Sequence, residues 1–222
     1  MGLFAAIYPL NAQTAMIQNL GYTFEDQYPN YHDLEFNFNG ISFSGSDTST
    51  YRIPLEKGLD QCYAVMKSDT LFFQARFKDG ETYRLSAGCC CAAFSLQPVS
   101  KGGRGKAAFK NKSEKPLGFI VGESNSDIVP AREKRDLHAY ESAMCIFKPC
   151  HMLVTDSLYF GDGFRYDSKQ ADFEASLLAH EQLILASGNF LFLHKEKVEV
   201  LFSKEDKQLR FRVIGHLKEE KD

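Results

Sequence analysis

Asp33-Leu34-Glu35-Phe36-Asn37-Phe38-Asn39-Gly40-Ile41-Ser42-Phe43 alternates polar and apolar residues on both sides of an Asn-Gly dipeptide. Asn-Gly is the pair best able to supply two positive φ angles, as a type I′ turn requires. A period of two places Leu34, Phe36 and Phe38 on one face of a strand, and Ile41 and Phe43 follow on the return strand. The stretch therefore reads as a hairpin with one apolar face.

The same pattern continues downstream. Gln61–Lys67, Leu71–Phe77 and Tyr83–Ala87 read as strands, with turns at Ser68-Asp69 and Lys78-Asp79-Gly80. Cys89–Leu96 is an apolar run ending at Pro98, too short for periodicity to separate strand from helix start. Leu117–Val121 and the closing segments Phe190–His194, Val198–Phe202 and Leu209–Ile214 are further strands, and Lys204–Lys207 forms a hairpin connection. Short turns between neighbouring strands imply a mainly antiparallel meander.

Helices are expected at three places. Asn11 caps Ala12–Leu20, with Gly21 as the stop. Ala131–Met144 reads as a helix with a charged face. Asp167 or Ser168 caps a longer helix that carries Phe173, Leu177, Leu178, Ile184 and Leu185 on one face and stops at Gly188. The expected fold class is thus α+β, a predominantly antiparallel sheet with two or three helices packed on it. Residues 1–222 are expected to form a single domain, interrupted by a flexible basic loop at about 100–116.

Composition sets wider bounds. The chain has 222 residues, 44% of them hydrophobic, with 19 Phe and 10 Tyr, enough apolar surface for a packed core. Leu3–Pro9 is apolar but too short to span a membrane, so no transmembrane segment is expected. Cys89, Cys90 and Cys91 are consecutive and poorly placed for separate disulfides, which favours reduced thiols. That places the protein in the cytoplasm, or in a host cytoplasm after leaderless secretion. The terminal Leu217-Lys218-Glu219-Glu220-Lys221-Asp222 resembles the acidic tails of some type IV secretion substrates.

Charge is uneven: residues 1–60 carry −5, 61–116 carry +6 and 117–222 carry −4, for a net −3. A mildly acidic chain is no general nucleic-acid binder, because phosphate neutralisation needs a concentrated positive face. Any such contact would be local to the basic loop, where Arg104, Lys106 and Lys110 form a candidate polyanion patch. Gly102-Gly103-Arg104-Gly105-Lys106 lacks the first glycine and the Ser or Thr of a phosphate loop.

Two patterns bear on chemistry. His180-Glu181 has half of a zinc-protease helix motif, but Ile184 stands where the second histidine belongs, so no metal or other cofactor is expected. Cys91, His151 and Asp162 supply, in chain order, a thiol, a base and an orienting carboxylate. That order resembles the NlpC/P60-type thiol peptidases, and the resemblance implies a cysteine-dependent hydrolase. The leading expectation is otherwise: a non-catalytic protein- or ligand-binding module, effector-like and of bacterial or viral origin, acting on a host protein partner.

Overall fold

Asn39 and Gly40 have φ of 48° and 86°, the two positive values that the hairpin requires. Phe38 pairs with Ile41 and Phe36 with Phe43 across it. This hairpin belongs to a computed structural model that describes residues 13–22, 34–66, 69–87, 93–100, 102, 105–122, 125–138, 143–145, 151–156 and 184–218. Among the described residues there are seventeen strands in three mixed sheets and no helix.

The first sheet has five strands, in the order β13 (Ala143–Cys145), β8 (Ala93–Pro98), β7 (Thr82–Ala87), β1 (Thr14–Tyr22) and β4 (Thr50–Pro54). The second has eight, in the order β11 (Asn125–Val129), β10 (Leu117–Val121), β14 (His151–Asp156), β15 (Ile184–Leu191), β6 (Asp69–Ala75), β5 (Asp60–Met66), β2 (Leu34–Phe38) and β3 (Ile41–Ser44). The third has four: β12 (Lys134–His138), β9 (Lys106–Lys110), β16 (Glu196–Ser203) and β17 (Gln208–His216). Pairing is antiparallel except between β1 and β7, β6 and β15, and β9 and β16.

Two apolar cores hold these sheets together, and residues 190–193 show how. Phe190 and Phe192 pack in one core, whereas Leu191 and Leu193 pack in the other. Successive side chains of an extended chain point to opposite faces, so the cores lie on opposite sides of the eight-stranded sheet. The first core joins β2, β3, β5 and β6 to the five-stranded sheet through Phe36, Phe38, Phe73, Ile17, Tyr83 and Phe94. The second joins β10, β14 and β15 to the four-stranded sheet through Phe119, Val154, Phe190, Phe109 and Val200. Each small sheet therefore covers a different half of the long sheet, on a different face.

Among the described residues the expected α+β class is corrected to all-β. The helix placed at Ala12–Leu20 is strand β1 over its described part, held between β4 and β7. Ala15, Ile17 and Asn19 are buried at every second position, while Gly21, at φ 71°, lies where the register with β7 shifts. The glycine relieves a bulge in a strand instead of ending a helix. The helix placed at Ala131–Met144 is a turn at Arg132, φ 62°, followed by β12 and β13. Of the longer helix, residues 167–183 lie outside the described residues, and Ile184, Leu185 and Gly188 belong to strand β15.

The flexible basic loop also gives way in part to regular structure. Lys106–Lys110 form β9, an interior strand in which Ala107, Ala108 and Phe109 are fully buried. Gly105, just before it, has no room for a side chain, since a Cβ there would lie 1.8 Å from the Phe192 ring. Cys89–Leu96 resolves as a strand over its described part, within β8, and residues 88–92 lie outside the described residues.

Candidate functional site

The four-stranded sheet covers only the β10–β14–β15 half of its face of the long sheet. The other half, formed by β2, β5 and β6, continues past the edge strand β17 with nothing among the described residues laid across it. Floor and edge together make a groove of about 500 Å³. It opens into a second cleft of about 790 Å³ bounded by residues 55–59, Arg76, Lys78 and β17. Both volumes fall in the range of small-ligand sites.

The floor is set by strand alternation. Leu71, Phe73 and Ala75 of β6 enter the first core, so Phe72 and Gln74 point the other way. On β5, Cys62 and Ala64 are buried and Gln61 and Tyr63 take the outward positions. Register places Tyr63 opposite Phe72 and Gln61 opposite Gln74. The rings of Tyr63 and Phe72 stand 5.7 Å apart and tilted, and Phe72 is 67% exposed. Gln74 Nε2 donates to Gln61 Oε1 at 3.0 Å, which ties the two amides together, while Gln74 Oε1 has no hydrogen-bond partner among the described residues. Asn189 Nδ2 donates to the Phe72 carbonyl at 2.8 Å, bridging β15 and β6 beside the ring.

The rim is equally constrained. Asn39 Nδ2 donates to Asp60 Oδ1 at 2.6 Å and to the Pro54 carbonyl at 2.8 Å. The buried Asp60 carboxylate also accepts the backbone N–H groups of Glu56 at 3.1 Å and Phe77 at 2.9 Å. Residues 55–59 and the exit of β6 are thereby tied to one side chain. Below the floor, burial pushes the Cys62 thiol well up, with the Asp60 and Glu56 charges adding to it. Cys62 is a packed hydrophobe, not a nucleophile.

Of the thiol-hydrolase residues, only His151 is among the described residues. Cys91 and Asp162 lie outside the described residues, and His151 is the first residue of β14, paired in register with Asn189. His180 and Glu181 also lie outside the described residues. Among the described residues no group of three or more His, Cys, Asp or Glu is arranged to hold a metal, and no helix is long and apolar enough to cross a membrane.

Of the polyanion patch, Arg104 is outside the described residues, while Lys106 and Lys110 share the outer face of β9. Lys106 is engaged: Asp136 Oδ2 lies 3.5 Å from its Nζ and 3.1 Å from Lys197 Nζ, and Asp136 Oδ1 is 4.0 Å from Lys134 Nζ. On the same sheet face Arg212 pairs with Glu199. The cations are interleaved with acids, which dilutes the field a polyanion would meet.

One buried polar cluster adjoins the first core. Tyr83 Oη lies 2.6 Å from His194 Nε2 and accepts the Lys78 backbone N–H at 2.9 Å, and the His194 backbone N–H donates to Glu196 Oε2 at 2.8 Å. All three side chains are buried, and the cluster fixes the β15–β16 connection.

Sequence reasoning missed Tyr63, Phe72, Gln61 and Gln74. The available signal was Leu71-Phe72-Phe73, where apolar residues occupy both parities of a strand and one ring must leave the core. No protein-family model matches the chain, and no curated protein matches it significantly.

Proposed function

We propose that this all-β protein is a non-catalytic binding module whose ligand enters the groove between the open β2–β5–β6 face and the edge of β17. The observation that carries the reading is Phe72, the most exposed large hydrophobic side chain of the described residues, held by pinned amides in a concave site. An exposed ring on a strand inside a concave site offers a ligand a flat, apolar contact surface. The sites of regular strands also vary less in geometry than loops, so the groove is preorganised for binding.

A fragment library screened by NMR, with amide shifts as the readout, tests this. Shifts should cluster at Gln61–Tyr63, Phe72–Gln74 and Ser187–Asn189. Clustering elsewhere, or substrate turnover that a Cys91→Ser variant abolishes, would overturn the reading.

A further inference from the structure

The chemistry of the groove narrows its ligand. Among the described residues the 500 Å³ part is lined by no lysine or arginine; its polar side chains are mainly carboxamides, with one acid, Glu56, at the side it shares with the larger cleft. Asn37 and Asn39 are committed to internal bonds: Asn37 Nδ2 donates to Ser42 Oγ, and its Oδ1 accepts the Gly40 N–H. The Gln61–Gln74 pair differs. Its one amide–amide bond leaves Gln74 Oε1 as an acceptor with no partner among the described residues, and one Gln61 Nε2 hydrogen as a donor beyond its bond to the Leu59 carbonyl. An amide acceptor and an amide donor suit the hydroxyls of a sugar, and the neighbouring exposed phenyl ring matches the apolar face that a pyranose ring presents.

Along β6, Phe72 and Gln74 share a face at a spacing of roughly 7 Å, the advance of two strand residues, and Arg76 follows at the strand's exit. Arg76 is exposed and lines the larger cleft with Lys57 and Lys78, where the acids Glu56 and Asp79 are outnumbered by cations. The row thus runs from aromatic to amide to cation. We propose, building on the binding-module reading, that the groove takes an acidic oligosaccharide: a sugar ring on Phe72, its hydroxyls on the Gln61–Gln74 pair, and a carboxylate or sulfate at Arg76.

A single-stranded nucleic acid fits less well. It carries one phosphate per nucleotide, and a strand stacked on Phe72 would lay its phosphates along the half of the groove that holds no cation. An oligosaccharide needs only one charged group, placed where the cations are.

The test is titration of the full chain, by ligand-detected NMR and calorimetry, with oligogalacturonate, heparin and hyaluronan tetrasaccharides, 3′-sialyllactose, neutral cellotetraose and a ten-residue oligothymidylate. At least one acidic saccharide should bind, and more tightly than cellotetraose. Phe72→Ala, which removes only an exposed ring, should weaken it tenfold or more with the amide spectrum otherwise unchanged. Arg76→Ser should reduce acidic-saccharide binding to the level of the neutral one, whereas Lys110→Ser should change nothing. The inference is overturned if no saccharide binds, if Phe72→Ala leaves affinity intact, or if oligothymidylate binds more tightly through the same two residues. Should fragments map to the groove while every saccharide fails, the binding-module reading stands and the ligand class alone is wrong.

Discussion

Tyr83 and His194 are 111 positions apart and meet at 2.6 Å, a buried bond that links the five-stranded sheet to the β15–β16 connection. The same hydroxyl accepts the Lys78 N–H. Replacing Tyr83 with Phe keeps the ring packed against Phe77 but leaves the buried His194 Nε2 and the part-buried Lys78 N–H without their partner. Each such group costs about 1–3 kcal/mol, so Tyr83→Phe should lower the unfolding free energy by about 2–4 kcal/mol in urea titration. A loss below about 0.5 kcal/mol would show that water replaces the hydroxyl.

Burial, with the nearby Lys78 charge, pushes the His194 imidazole down to about 4. The unfolded chain binds a proton at this residue near pH 6.5 and the folded chain does not until about pH 4. Stability from this group is therefore complete above pH 6.5 and is lost as pH falls toward 4, by up to about 3 kcal/mol and less in so far as water reaches the ring edge. Glu196, held above the usual carboxylate range by burial, acts in the opposite sense: its folded form keeps a proton longer, so its contribution declines as pH rises past 4.5. Subtracting the stability curve of His194→Gln from that of the parent isolates the histidine. The difference should shrink steadily from pH 6.5 to 4, and NMR titration should find the imidazole neutral at pH 5.

Asp60 governs the groove rim through three donors, from Asn39, Glu56 and Phe77. Asp60→Ala leaves all three without their acceptor and should cost about 3 kcal/mol in denaturant titration. Hydrogen exchange should accelerate first at residues 55–59, because that segment has few other ties. Uniform acceleration across the chain would mean that the rim is held by packing instead.

What the sequence revealed follows from how local each signal was. Asn39-Gly40 dictates its own turn, and the 204–207 connection between β16 and β17 needs only Lys207 at φ 50°. Both hairpins were legible for that reason. Thr14–Tyr22 was not, because its apolar residues fall on both parities and it becomes a strand only through pairing with β4 and β7, the latter some 66 positions away. β9 was hidden by glycines and lysines around Ala107-Ala108-Phe109, and its strand character comes from the parallel pairing with β16. Non-local partners left no local mark. The candidate site was less legible still, since Phe72 and β17 meet only when two sheets stack.

Cys62 tests the first core. With its thiol buried and pushed well up, iodoacetamide should leave it unmodified in the native protein at pH 8 and label it fully in denaturant. Native labelling at a rate near that of a free thiol would require β5 to open on its own.

Asp136 offers the sharpest electrostatic test. Its carboxylate is partly buried, which by itself raises its affinity for a proton, but the bond from Lys197 and the charges of Lys197, Lys106 and Lys134 outweigh that and hold it below the usual carboxylate range. It therefore stabilises the fold above the normal range and loses that effect as pH falls through its lowered value. All four side chains are about a quarter or more exposed, so the interaction is worth about 1 kcal/mol at most. Its larger effect is on the field. Asp136→Asn deletes the one acid among three lysines on that part of the sheet, so the variant should elute later from a heparin column, and adding Lys106→Ser should reverse the shift. If Asp136→Asn leaves retention unchanged, this face contributes nothing to polyanion binding and the patch expected at Lys106 and Lys110 is a solvated sheet surface.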